Sequence, residues 1–475
     1  MSTVRTRFAP SPTGYLHVGN IRTGFFAWLV ARHAGGQFVL RLEDTDKKRE
    51  VAGADEHLIT SLKALGVDWD EGFDIGGPFA PYRQSERLDH YKKWAQKLID
   101  AGRAYADPYT PEEVQAFRKQ AQAAKRPFLF RGHRPENPAA WDGSRPLRFK
   151  SEPAAYRWHD EVMGNLSTGP EVIDDFILIK SDGYPTYNFA HIVDDAEMEI
   201  THIIRGQEFI ASTPNYLNLY EALGLTPPIM ATVPHILGEG GQKKLSKRDG
   251  AKDVLDYIRD GFLPETLVNF IASLGWNDGT EQEIFRREQL IAKFSLKRVG
   301  RSGAKFDEQR LLWMNGYYIR ELPLDDLYQK VAGSWPAEAT SRDDAYKKQV
   351  LGLVQERLKY FKELPGLTAF FFQDLPVNME LIDGNKQLKK YAHSGLKSWL
   401  AQSRDVLAQT DFKSETLAAK LNELLVHTGQ KPGVLFSLIR IATTQAPASP
   451  SLAETLAVLG KATALRRIDS LLAAL

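Results

Sequence analysis

The stretch from Val4 to Leu42 constrains the fold more than any other part of the chain. Val4–Ala9 reads as a short strand, Gly19–His33 as a helix, and Phe38, Leu40 and Leu42 recur at the strand period of two. Strand, helix and strand in so short a span make a βαβ unit, the seed of a parallel sheet. Between the first strand and the helix stands PSPTGYLHVGN, a Pro/Gly-rich turn that ends where the helix begins. In α/β proteins that junction is where backbone N–H groups and the helix dipole receive phosphate. Further helical patterns follow at Ala54–Leu65 and Glu86–Ala101.

From Tyr105 to Tyr184 the texture turns Pro-rich, aromatic and poorly periodic, with PFLFRGHRPENPAAW and DDFILIKSDGYPTYNF as landmarks. This reads as an inserted domain. The α/β rhythm then returns: Glu199–Arg205 and Ile229–Leu237 read as strands around a helix at Thr213–Leu223, so the insertion is expected to split one sheet. GEGGQKKLSKRDG follows as a glycine-rich basic loop. Helical patterns dominate the remainder, including Pro264–Leu274, Glu415–Val426 and a final stretch with Leu452, Leu456, Leu459, Leu465, Ile468 and Leu472 at three- and four-residue spacing. A chain of 475 residues exceeds what one core organises. Four regions are expected: a Rossmann-like catalytic domain over 1–104 and 185–250, an inserted α+β domain over 105–184, a connecting region over 251–333, and an all-helical region over 334–475.

Two segments carry the chemistry. Transferring a nucleotidyl group onto a carboxylate takes negative charge through a pentavalent phosphorus, so donors and cations must be fixed where that charge develops. His17, Gly19 and the helix start after them can donate to phosphate oxygens, and Gly19 admits close approach of the backbone. Lys244 and Lys247, in KKLSKR, place two ammonium groups on a loop that can close over a triphosphate. Either segment alone is as easily a plain helix start or a solvated loop; their order and their setting in the sheet favour the functional reading.

With these motifs the chain resembles the class I aminoacyl-tRNA synthetases, whose HIGH and KMSKS signatures stand here as His17-Val18-Gly19-Asn20 and Lys244-Leu245-Ser246-Lys247-Arg248. RFAPSPTGYLHVGNIRT, FVLRLEDTD, GYPTYNFAHIVDD, EITHIIRG and LVNFIASLGW narrow the resemblance to glutamyl-tRNA synthetases of the bacterial type. Glutaminyl and eukaryotic-type relatives end in β-barrels, whereas this tail reads as helix.

The resemblance spans nearly the whole chain and implies ATP-dependent activation of L-glutamate, then transfer to the 3′ end of tRNA(Glu), with tRNA(Gln) left open as a second acceptor. It further implies Mg²⁺ accompanying ATP, tRNA-dependent adenylate formation, an acceptor-end role for the insert, a stem-contact role for 251–333 and an anticodon-binding role for the helical region. The catalytic set it implies is His17, Gly19, Asn20, Lys244 and Lys247. ATP binding falls to Pro10, His17, Gly19, Glu208, Leu245, Ser246, Lys247 and Arg248, and the glutamate pocket to Arg7, Ala9, Ser11, Glu43, Tyr187 and Arg205. Glu43 suits an α-ammonium, and Arg7 and Arg205 suit carboxylate in the forked geometry lysine lacks. Without the motif context, Glu43 and Arg205 would equally read as an internal ion pair and Tyr187 as a buried aromatic.

Four positions depart from the family pattern. Phe209 stands where an imidazole or indole is commoner, His191 where some relatives carry Asn, and Asp107 and Tyr109 where some carry zinc-binding cysteines. With no cysteine in the chain, thiol chemistry and Cys-ligated zinc are excluded, and no structural zinc is expected.

Net charge is only +1, but Ser341–Leu475 carries 18 Lys/Arg against 13 Asp/Glu. Such an excess suits phosphate contact or a solvated helical surface alike. The opening MSTVRTRFAPSPTG lacks an apolar secretory core and a presequence pattern, and no apolar run approaches the roughly 18 residues of a membrane span. A cytoplasmic monomer without a membrane partner is the expectation. The rival readings are a small-molecule nucleotidyltransferase built on the same HxGH-type site, disfavoured by the insert and tail, and a non-catalytic tRNA-binding paralogue, which should lack His17, Lys244 or Lys247.

Overall fold

A computed structural model of the chain describes residues 3–16, 18–245 and 252–475. The chain divides into two compact units, Met1–Ile258 with Pro264–Leu311 and Arg259–Leu263 with Leu312–Leu475.

In the first unit, β1 (Arg5–Phe8) pairs in parallel with β2 (Gln37–Leu40), Arg7 opposite Val39, and β2 pairs in parallel with Glu71–Gly72. The helix between them, α1 (Val18–His33), is apolar on most sides and buries Ile21, Phe25, Phe26, Trp28 and Leu29. Its Gly24 is a requirement of the contact with β1, since a Cβ there would meet the Phe8 ring at 2.7–2.9 Å. The expected alternation along Phe38, Leu40 and Leu42 is not realised. Phe38, Val39 and Leu40 are all buried, as in a parallel strand covered on both faces, and Leu42 lies past the strand in an isolated bridge to Arg83.

On the other side of β1 the sheet resumes. Thr201 donates its N–H to the Arg5 carbonyl at 2.9 Å, and its side-chain Oγ1 accepts from the Arg5 N–H at 2.8 Å. His202–Gly206 then runs parallel to Ile229–Val233, with the helix Thr213–Ala222 between them.

The insertion is not a separate body. Its antiparallel sheet of Ala104–Ala106, Leu147–Phe149 and Ile177–Ile179 is pinned by the buried pair Arg148–Asp107, 2.6 Å, and its helix Pro111–Ala123 is closed by a capping box of Thr110 and Glu113. A hairpin of Tyr156–Asp160 and Gly164–Thr168 joins the main sheet where Asp160 pairs with Met230.

The second unit is helical, with no strand among its described residues. Leu400, Leu407, Leu421, Leu435, Leu438, Leu456, Ile468 and Leu471 form one apolar core. The periodic C-terminal stretch is two helices, Leu452–Leu459 and Lys461–Ala474, broken at Gly460, whose φ is +79°. The boundary expected at 334 does not coincide with a structural division. Leu263, Ile319, Leu327 and Val331 share a cluster with Leu351, Val354, Leu358, Phe361 and Leu364, so residues on both sides of 334 are buried together. No helix of the described residues is long and apolar enough to cross a membrane.

Candidate active site

At the carboxyl ends of the parallel strands lies a cavity of about 380 Å³, the position where open α/β sheets bind ligands. β1 delivers Arg7 and the turn after it Ala9, Pro10 and Ser11; the first turn of α1 brings Gly19 and Asn20; the chain after β2 brings Glu43. Tyr187 is the first residue of the helix Tyr187–Glu197, Arg205 sits near the end of its strand, and Glu208 and Lys244 stand on the cavity wall as well. Leu245 is buried beside this wall, its N–H donating to the Ile236 carbonyl at 2.8 Å, but does not line the cavity. His17, Ser246, Lys247 and Arg248 lie outside the described residues.

Arg205 is 5% exposed. One of its terminal nitrogens donates to Thr213 Oγ1 at 2.7 Å, its guanidinium lies 5.3 Å from the Tyr216 ring centroid, and its Nε has no partner. No Asp or Glu of the described residues forms an ion pair with it, so the internal-ion-pair reading does not apply there. A buried guanidinium without a counter-ion is costly unless a ligand supplies one.

Glu43 differs. It accepts from Arg41 Nη2 at 3.1 Å, and burial pushes its carboxyl up to about 7 against the pull of Arg41 and Arg7. Arg7 donates Nε to Asp195 Oδ1 at 3.1 Å and Nη2 to Oδ2 at 3.4 Å. Both are therefore paired internally while lining the cavity, so the pairing and the binding readings hold together for them.

Tyr187, His191 and Asp195 recur every four residues and share one face of their helix. Burial lowers His191 to about 3, so its ring is neutral at pH 7. Its Nδ1–H donates to the Tyr187 carbonyl at 2.7 Å and its ring stacks on Tyr187 at 4.7 Å. It does not line the cavity; it braces the residue that does. Phe209 does line it and packs on Tyr187 at 5.3 Å. Burial also holds the Tyr187 hydroxyl well above its ordinary range, keeping it a neutral donor.

Toward the basic loop, Glu208 lies 3.5 Å from Lys244 Nζ and 3.7 Å from His235 Nδ1. Gly206 permits this, because a Cβ there would strike the Glu208 carboxylate at 2.1 Å. Arg22 also lines the cavity, though nothing in the sequence reading marked it. It donates to the Leu274 and Pro234 carbonyls, and burial lowers it to about 10. Asp107, at the position where some relatives ligate zinc, is committed to Arg148.

Comparison with known proteins gives one pattern. The family described as class I tRNA synthetases (E and Q), catalytic domain, matches residues 3–313, and an anticodon binding domain matches 324–472. A glutamate–tRNA ligase of Dehalococcoides mccartyi is 41% identical over 99% of this chain and 98% of its own, and that of Chloroflexus aurantiacus 39% identical over the same shares. The crystal structure of a glutamate tRNA ligase from Elizabethkingia meningosepticum, in complex with its amino acid, superposes with a TM-score of 0.87 at 30% identity, covering 100% of both chains.

Proposed function

The chain belongs to the class I tRNA synthetases of the glutamate and glutamine group, with glutamate–tRNA ligases as full-length relatives, and from that premise we propose that it is itself a glutamate–tRNA ligase. The observation that carries the choice of amino acid is Arg205, a buried guanidinium on the cavity wall with no carboxylate partner among the described residues. The side-chain carboxylate of glutamate supplies that partner, and the Tyr187 hydroxyl can donate beside it. Glu43, as a carboxylate, receives the α-ammonium. Glutamine has nearly the same shape but would meet the guanidinium with an uncharged amide.

ATP is the second substrate in this reading. Its phosphates sit at the start of α1, over Gly19 and Asn20, with Lys244 on the far side. The substrate α-carboxylate attacks the α-phosphorus and pyrophosphate leaves. A terminal ribose hydroxyl of tRNA then attacks the activated carbonyl, and AMP leaves. The fixed dipoles and cations bear the developing charge, and no covalent enzyme intermediate is needed.

Magnesium fits this site as a companion of the nucleotide. Glu208, on the cavity wall beside Lys244, is the carboxylate that would meet an ion carried by phosphate oxygens and water. When bound, it neutralises phosphate charge. We extend the proposal to a cytoplasmic monomer that needs no structural zinc. The insert suits the acceptor end: a cavity of about 950 Å³ there is lined by Tyr109 and Phe128 for base stacking and by Arg118 and Arg145 for phosphate.

Purified protein given ATP, Mg²⁺ and radiolabelled glutamate should acylate tRNA(Glu). Failure to label it under conditions where a known ligase succeeds would overturn the proposal. Parallel labelling of tRNA(Gln) decides whether the chain serves one acceptor or both.

A further inference from the structure

The helix Tyr187–Glu197 ends in acidic residues, which the helix dipole disfavours at a C-terminus. Asp194 and Asp195 are nonetheless both fully buried. Their hydrogen bonds diverge: Asp194 accepts from Arg87 Nε, Gln84 Nε2 and the Tyr91 hydroxyl at 2.8–3.0 Å and lies 3.7 Å from Arg41 Nε. Asp195 faces the substrate side, accepting from Arg7 through two nitrogens and from Arg41 Nη1 at 2.8 Å. Arg41, which has no solvent exposure, hands on the connection by donating to Glu43 at 3.1 Å. Neither Asp195 nor Arg41 lines the cavity, while Arg7 and Glu43 do.

We infer that Asp195 and Arg41 are positioning residues of the amino-acid pocket: together they hold Arg7 and Glu43 apart and aimed at the substrate, so that Glu43 remains available to the α-ammonium. This rests on the reading of the cavity as a glutamate site. The physical reason is competition for charge. Arg7 and Arg41 both attract Glu43, and Asp195 engages both guanidiniums in its place. Its carboxyl is driven upward by burial, yet the two arginines outweigh that and hold it at about 2, so it is charged throughout the working range. Without that charge, Arg7 and Arg41 both turn to Glu43, although Arg41 Nε also keeps Asp194 Oδ2 at 3.7 Å, and Glu43 is consumed internally. The charged and titratable groups acting on Glu43 are Arg41, Arg7, Asp195, Tyr187 and Tyr216.

The test compares wild type, Asp195→Asn and Arg41→Gln by steady-state tRNA charging, with KM for glutamate and for ATP measured across pH. For Asp195→Asn the glutamate KM should rise about ten- to hundredfold with the ATP KM unchanged. The acid midpoint of the glutamate dependence should move to lower pH, because two freed guanidiniums stabilise the Glu43 carboxylate. Arg41→Gln should move the same midpoint to higher pH, since Glu43 loses a cation. A merely structural role would not shift the midpoint in opposite directions. Unmoved midpoints, or glutamate and ATP KM rising together, overturn the inference, as does loss of the fold in both variants. If wild type does not use glutamate at all, the functional reading has failed instead.

Discussion

Replacing Arg205 with alanine separates a binding residue from a structural one, because the structure makes opposite demands of the two roles. Truncating one partner of a buried, hydrogen-bonded charge pair costs about 2–5 kcal/mol. Arg205 is only 5% exposed and stacks beside Tyr216, so little water can replace the lost charge and the upper half of that range applies. At about 1.4 kcal/mol per power of ten, kcat/KM for glutamate should fall by roughly two and a half to three and a half powers of ten. The fold should hardly notice. Its direct loss is the bond to Thr213, about 1 kcal/mol, set against relief of a buried charge whose Nε has no partner. The thermal midpoint should therefore stay within about 4 °C of wild type. The assays are charging kinetics at varied glutamate, ATP affinity and thermal unfolding. Unchanged glutamate kinetics, or a collapse of the thermal midpoint with ATP affinity falling alongside, would refute the reasoning.

Glutamate binding should weaken as pH falls through about 7, since Glu43 must be ionised to receive an ammonium and its free-state carboxyl is raised to about 7; calorimetric titration below that pH should lose up to about tenfold in affinity per unit, and a flat profile from pH 8 to 5.5 would exclude Glu43 from the contact. Gly24→Val should lower the thermal midpoint and raise the glutamate KM, because its side chain must displace the Phe8 ring between Arg7 and Ala9; unfolding and charging assays on the same preparation check both. A chain ending at Gly333 should aggregate, whereas one ending at Leu311 should unfold cooperatively, because the former leaves Ile319, Leu327 and Val331 as well as Leu263 without their partners from 351–364, and the latter leaves Leu263 alone of these four. Size-exclusion chromatography and circular dichroism distinguish the two.

The legible parts were those written in local pattern. The βαβ opening has its strand, turn chemistry and helix contiguous, and the structure places them within a residue or two of the expected bounds. Arg7, Ser11, Gly19, Glu43, Tyr187, Arg205 and Lys244 were found through their motifs, and the structure gathers all of them on one cavity. What stayed hidden depends on contacts between distant segments. Arg41 and Asp195 are 154 positions apart, and nothing near either one in sequence announces the pair. Arg22 acts by bonding carbonyls 212 and 252 positions away. The hairpin Tyr156–Thr168 did carry a local signal, since Tyr156, Trp158 and Asp160 alternate in burial with exposed Arg157 and His159, but its polar outer face masked the period of two. No local signal near 334 records that Leu327 and Val331 are buried with residues from 351–364.

The central claim is that Arg205, a buried arginine with no carboxylate partner among the described residues, selects glutamate by charge. It is tested most directly by offering glutamate and glutamine separately to the purified chain with ATP, Mg²⁺ and tRNA(Glu), and measuring kcat/KM for each. A site that leaves a buried polar group unpaired with the wrong substrate can discriminate by about 10⁴. The account predicts a preference for glutamate of that order without an editing step. Comparable values for the two amino acids would contradict it.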